Sequence, residues 1–287
     1  MSKKSNVIST IVLIIMLLVG LSVMLYPSFS DWWNKNLASH NVSSYNEAVA
    51  QMDDGETERL LNEAYEYNEK LASLFAPFTN YDEISGYEDI LNFSGSGMMG
   101  YISIPLIKIE LPIYHGTSEG VLNVAAGHLQ GSSLPVGGNN THAVISAHRG
   151  LPSAKLFTDL DKLVVGDTFT ITVLGEVLTY EIEEILTVKP EEVDKLAIIP
   201  DGDYVTLMTC TPYGVNTHRL LLRSHRIETV YHYDGKVVAD AVQIDPILAV
   251  PAISAPLVIL LICFWIAGSK KKERPSARRS FELLMKK

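Results

Sequence analysis

The chain has 287 residues, enough for one large domain or two small ones. Its 33 acidic and 23 basic side chains give a formal net charge of -10, which excludes a general nucleic-acid binder with a basic face. At 47% hydrophobic and 20% charged it is not a disordered chain, and two cysteines make neither a multi-bridge disulfide scaffold nor a four-cysteine zinc site.

The polarity is partitioned along the chain. Residues 1–6 carry Lys3 and Lys4 and form a basic flank. Residues 7–26 follow as an uncharged apolar run. At ~1.5 Å per residue, a run of about 20 residues crosses a hydrocarbon core of ~30 Å. It ends in Tyr26-Pro27-Ser28-Phe29, which lacks a small-residue cleavage site, so it reads as an uncleaved anchor rather than a signal peptide. A second uncharged run, residues 247–267, contains Pro251 and Pro256, which membrane helices tolerate. Residues 268–287 follow it with eight basic and two acidic side chains. Short basic flanks stay cytoplasmic, so both termini are expected inside the cell membrane and the segment between them outside. That segment holds 13 basic and 31 acidic residues. Cys263 falls in the second run, which leaves Cys210 as the one cysteine of the external part, either a buried inert thiol or a reactive group.

Residues 31 to about 75 carry helical periodicity, with Leu60, Leu61, Ala64, Leu71, Leu74 and Phe75 on one stripe. Asp53-Asp54-Gly55 predicts a break before that helix. A stretch rich in turn residues runs from Pro77 to Gly97. Its Gly95-Ser96-Gly97 lacks the Lys-Ser/Thr of a phosphate loop and reads as a linker. From Met99 the period becomes two. Strands are expected at 101–104, 107–114, 142–147, 168–173, 177–189, 204–209 and 219–229, with a hairpin at 173–177 and a short helix within 151–163. Seven or eight short strands in about 130 residues predict a mainly β domain, a barrel or sandwich.

Three stretches carry possible chemistry. A strand runs into His148, another into Cys210, and Arg219 opens a third. Strand ends are where a rigid scaffold presents side chains to a cleft. A thiolate is a nucleophile, a neighbouring imidazolium lowers the thiol pKa and can protonate a leaving amine, and arginine offers fixed donors to an oxyanion. From residue types alone, the alternative stands level: Cys210 as a small buried hydrophobe, His148 as a turn residue and Arg219 as a surface cation. His142 shares the strand face of His148, and a zinc site of His142, His148 and Cys210 is the metal alternative. His128 is a third histidine of interest. Arg223 shares the strand face of Arg219 but lies deeper and suits a structural salt bridge. Arg149 is expected to point away from His148.

Thr206-Leu207-Met208-Thr209-Cys210 resembles the TLxTC signature of sortases, and Arg219 follows at the spacing of their active-site arginine. The stretches from His128 to Gly138 and from Ser146 to Ser153 are similar to the region around the sortase histidine. The helical extension and second apolar run resemble class C, the pilin-polymerising sortases of Gram-positive bacteria. The resemblance implies an eight-stranded β-barrel at 98–235, a helical extension and lid at 27–97, and a linker at 236–246 before the second membrane helix. It implies a cysteine transpeptidase that cleaves an LPxTG-like sorting signal between Thr and Gly through a thioester. Pilin subunits with such signals would be its partners, joined through lysine isopeptide bonds, with no cofactor or metal. By position Cys210 is the nucleophile, His148 the acid/base and Arg219 the substrate and oxyanion clamp. The family's lid carries an Asp-Pro-aromatic motif, and the matching stretch here is Ala76-Pro77-Phe78, in which the acid is absent. Asp82 lies six residues away and is a poor substitute. The alternatives are a housekeeping sortase acting on peptidoglycan precursor, and a non-catalytic membrane-anchored binding module.

Overall fold

The structure is a computed structural model. It describes residues 3–229, with side chains from residue 10. The second apolar run, the linker and the basic tail lie outside the described residues. Two α-helices lead into a closed eight-stranded barrel with strand order β1-β2-β3-β4-β7-β8-β6-β5.

Helix α1 (Lys3–Val49) carries the apolar run and continues through Pro27 without a break. It is the one described helix long and apolar enough to cross a membrane, and its apolar window is not covered by the rest of the protein. The sequence places a boundary at residue 26, but the helix crosses it and becomes part of the domain. Tyr45 is buried, donates its hydroxyl to Met99 O at 3.0 Å and accepts from Leu174 N at 2.8 Å. The expected break falls after Val49. Asp53 caps α2 (Asp54–Ser73) by accepting from Glu56 N. Four residues of the stripe seen in the sequence, Leu60, Leu61, Ala64 and Leu71, enter the main core with Tyr67, whereas α2 ends at Ser73, so Leu74 and Phe75 lie beyond it and Phe75 is 87% exposed. Burying a large apolar side chain is worth ~1.5–3 kcal/mol, so this face fixes α2 on the barrel. Asn68 adds a two-way clamp, donating to Leu134 O at 3.1 Å and accepting from Leu134 N at 2.7 Å.

The barrel strands are β1 (Met98–Ile104), β2 (Ile109–His115), β3 (Ala126–His128), β4 (Thr141–Ser146), β5 (Thr168–Val173), β6 (Glu176–Val188), β7 (Asp203–Thr211) and β8 (His218–Ile227). Seven match the expected strands to within a few residues. The eighth, β3, has three residues and falls below any periodicity test. The hairpin is present: Leu174 and Gly175 both take positive φ (49° and 84°), the two-residue turn that suits strand twist. The helix expected within 151–163 reduces to a 3-10 turn at Leu160–Lys162.

Alternation sorts each strand into an inner and an outer face. Ala143, Ile145, Val205, Leu207, Leu220 and Leu222 belong to the main core. Their neighbours Val144 and Leu221 form a second apolar cluster with Val188 and Leu196, against which Met208, Leu129, Leu186 and Phe78 pack. The outer wall over β4, β7 and β8 is therefore apolar too, and it is the floor on which the site stands.

Candidate active site

The site follows from register. Cys210 on β7 is the direct partner of Arg219 on β8. Opposed residues on antiparallel strands hold their Cβ atoms ~4.5–5.5 Å apart on one face. β4 runs parallel to β7 with Ser146 opposite Met208. Past that pair Ala147 N still donates to Met208 O at 3.2 Å, and Thr209 Oγ1 donates to Ala147 O at 2.8 Å. Two residues on from Ser146 and from Met208, His148 and Cys210 are brought level. Cys210 has the parity of Met208 and Arg219 that of Leu221, so both share the outer wall, and His148 follows β4 two residues past its end. All three are partly exposed, and Cys210 is a free thiol.

Arg219 is steadied by backbone. Its Nη1 donates to Asn216 O at 3.3 Å and to His218 O at 3.2 Å. Among the described residues no carboxylate pairs with it, which leaves its charge for a ligand.

Arg149 is the residue whose importance the sequence understates. It is not a loose cation. Its side chain is only 9% exposed and pairs with Asp161. Its Nη1 donates to Thr211 Oγ1 at 3.1 Å, and its guanidinium lies 6.0 Å from the centre of the Tyr213 ring. One side chain thus ties the residue after His148 to the residue after Cys210. The signal was the matched pair of strand ends, readable only once β4 and β7 are known to be neighbours.

The other candidates have structural work. His142 is fully buried; its Nδ1 donates to Ala197 O at 2.8 Å and its Nε2 accepts from Thr206 Oγ1 at 2.7 Å. Burial lowers its pKa. With both ring nitrogens engaged, and six residues before His148, it cannot complete a zinc site with His148 and Cys210. Among the described residues no cluster of three metal-ligating side chains occurs. His128 is fully buried, with its Nδ1 2.9 Å from Tyr87 Oη and its Nε2 2.8 Å from Ser133 O; desolvation holds its pKa down at about 4. Arg223 makes the expected salt bridges, to Glu183 at 2.9 Å and Glu184 at 2.6 Å.

Ala76-Pro77-Phe78 lies where the chain leaves α2. Ala76 is exposed with φ 50°, and Pro77 opens a four-residue helix, Pro77–Asn80. Phe78 packs in the outer cluster with Met208, two residues before Cys210 on the same strand face. Gly131, at φ +93°, makes room: a Cβ there would sit 3.0 Å from Phe78 Cα and from Pro77 O. The segment therefore rests on the outer wall that carries the site.

A closed eight-stranded barrel with a free cysteine, an arginine and a histidine at adjoining strand ends defines a class. Residues 102–227 match the sortase domain model. The fold is similar to the crystal structure of sortase C1 from Streptococcus agalactiae, with 47% identity and a TM-score of 0.62 over 67% of this chain and 100% of that one. It is also similar to the X-ray structure of Clostridium perfringens sortase C with the C-terminal cell wall sorting motif, at 44% identity and a TM-score of 0.59, covering 67% and 100% of the two chains. The chain belongs to the sortase family, and these structural neighbours are class C sortases. Sortase A of Streptococcus agalactiae is 36% identical over 117 residues, 40% of this chain. The chain spans about half (47%) of that relative's own length.

Proposed function

We propose that the chain is a membrane-anchored class C sortase that joins pilin subunits. The observation that supports this reading is the register pairing of Cys210 with Arg219, beside β4, whose chain runs on to His148 two residues past its end. The Cys210 thiolate adds to the Thr carbonyl carbon of an LPxTG-like sorting signal. The tetrahedral oxyanion is met by the Arg219 guanidinium, a fixed planar donor that does not lose its charge. His148 donates a proton to the departing Gly nitrogen, the Thr–Gly bond breaks, and a thioester remains on Cys210. A lysine amine of a second subunit then attacks the thioester carbonyl. It loses its proton to His148, the C–S bond breaks, and an isopeptide bond replaces the thioester while the thiolate is restored. Each step uses only groups of this chain and the two peptides.

The apolar outer wall beside Cys210, with Met208, Leu221 and Leu129, suits the apolar residues at the start of such a signal. The solved Clostridium perfringens sortase C with its sorting motif supports the same substrate class here. The Ala76-Pro77-Phe78 segment is read as a lid over that wall. Helix α1 is read as the anchor, with residues 27–246 outside the membrane and both termini in the cytoplasm. Mixing the full-length chain with a pilin that bears an LPxTG-like signal tests the reading. A ladder of covalent polymers, absent with Cys210→Ala, is expected; unpolymerised pilin with the active chain would refute it.

A further inference from the structure

The anchor helix reaches the barrel sooner than the sequence suggests. Phe29, Trp32 and Trp33 are exposed on α1 just past the apolar run, with the Phe29 and Trp32 rings 6.0 Å apart. Aromatic residues in this position mark the headgroup level of a bilayer. Asp31 and Asn34 belong to the same stretch, yet they already hold the barrel. Asp31 Oδ1 accepts from Lys155 N at 2.8 Å, and Asn34 Nδ2 donates to Ser153 O at 2.8 Å. Asp31 lies five residues past Tyr26, or about 7.5 Å along the helix. The headgroup layer itself is about 5–7 Å deep. The loop after His148 is thus fastened at the outer edge of the lipid.

The direction of α1 tells which end of the barrel this is. Farther along the helix Asn41 meets Tyr114 Oη at 3.1 Å, and Tyr45 meets Met99 O at 3.0 Å. Earlier on the helix Asp31, Asn34 and Lys35 line one cavity with Lys108, Ile109 and Leu111 at the start of β2, so α1 ascends alongside β2 and whatever precedes Ile109 lies nearer the membrane. Leu106 does so, at 63% exposure in the turn between β1 and β2. The β1–β5 register, with Ser103 opposite Thr170, carried onward sets Leu106 beside Asp167. The adjoining turn exposes Val164 (60%) and Val165 (59%). Its acid is engaged, since Asp167 Oδ2 accepts from Val164 N at 2.8 Å. The nearby charges are largely balanced internally, Lys155 and Lys162 on Asp159 and Arg149 on Asp161. Leu106, Val164 and Val165 form a small apolar tip at this end, beside the exposed Lys108 and Lys162. β4 and β7 run opposite to β2, so His148 and Cys210 lie toward this same end.

We propose that this end of the barrel is a membrane-docking surface. Leu106, Val164 and Val165 rest in the headgroup region of the bilayer that α1 crosses, and the Cys210 end of the barrel faces the lipid. The proposal depends on the reading of α1 as the anchor, and the test separates the two.

The full-length chain carrying Cys210→Ala and Cys263→Ala is reconstituted in phosphatidylcholine nanodiscs. A bimane label is placed singly through Val19→Cys, Leu106→Cys, Val165→Cys or Asn139→Cys. Val19 is exposed within the apolar run, and Asn139 is exposed before β4 at the opposite end of the barrel. Nitroxide lipids labelled on the chain or the headgroup act as quenchers. Chain nitroxide is expected to quench position 19, and headgroup nitroxide to quench 106 and 165 several-fold more than 139. An unquenched label at 19 would remove the anchor and the docking together. Quenching at 19, with 106 and 165 no stronger than 139, would overturn the docking alone.

Discussion

Among single residues, three strand-end side chains and one brace carry the proposed reaction. In the proposed reaction Cys210→Ala and Cys210→Ser should both abolish polymer, since a serine hydroxyl is hardly ionised at neutral pH. The fold should survive, because Cys210 is only partly buried and contributes little core. Near-normal polymerisation by either variant would end the thioester mechanism. Loss of the oxyanion donor in Arg219→Ala should cost about 10²–10³-fold in kcat, and Arg219→Lys should recover little of it, because a point charge replaces a planar fork. Arg149 calls for a different expectation. It touches Thr211 and Asp161, so it acts by holding the histidine and cysteine strand ends together. A misplacement of about 1 Å can cost up to ~10²-fold. Arg149→Met should therefore lower kcat with little change in KM, and Thr211→Val should reproduce part of that loss. An unchanged kcat in Arg149→Met would show that the brace does not position the site.

Among the elements, the segment after α2 and the buried His128 next to Tyr87 lead to separate predictions. The proposed lid lacks an acid to hold Arg219, and Phe78 is its main contact with the outer wall. Ala76 already has positive φ, a conformation Asp accepts readily, so Ala76→Asp should not disturb the turn. That variant should slow alkylation of Cys210 by a small thiol reagent, and Phe78→Ala should speed it, followed by mass spectrometry. Rates unchanged in both would show that the segment does not cover the site. Tyr87 meets His128, which is buried as the neutral imidazole with its pKa held at about 4. The unfolded histidine titrates near 6.5, above the folded value. Its contribution is therefore complete above about pH 6.5 and is lost as pH falls toward 4, about 2 kcal/mol of it by pH 5. His142, also lowered by burial, acts in the same direction. Urea unfolding should show a lower midpoint at pH 5 than at pH 7.5, and a flat profile would contradict the buried neutral assignment. The elements also mark how much was legible beforehand. Thr168–Val173 falls where alternation predicts it, because its face pattern is clean. β3 did not, since three residues paired on both sides owe their strand to neighbours rather than to propensity. The seat of Pro77 and Phe78 on Gly131 was equally hidden, being a contact between segments some 50 residues apart in the chain.

For the whole molecule, the apolar helix read as the anchor and the barrel are joined directly. The sequence marks an anchor and then a separate extension, whereas α1 runs through Pro27 and meets the barrel at Asp31. Periodicity could not reveal this, because the joining bonds from Asp31 and Asn34 reach backbone atoms more than 100 residues away. The site itself was legible as residue types and spacing, yet its assembly was not. That needed the parallel pairing of β4 with β7, a long-range contact with no local trace. In the proposed reaction Cys210 takes up the acyl half of a sorting peptide. Intact-mass spectrometry of the full-length chain, quenched in acid during reaction with an LPxTG-like peptide, addresses it directly. The predicted result is a mass gain equal to the fragment ending in Thr, mapped to Cys210, removed by hydroxylamine and absent in Cys210→Ala. An unmodified chain while peptide is being cleaved, or an adduct on any other residue, would contradict it.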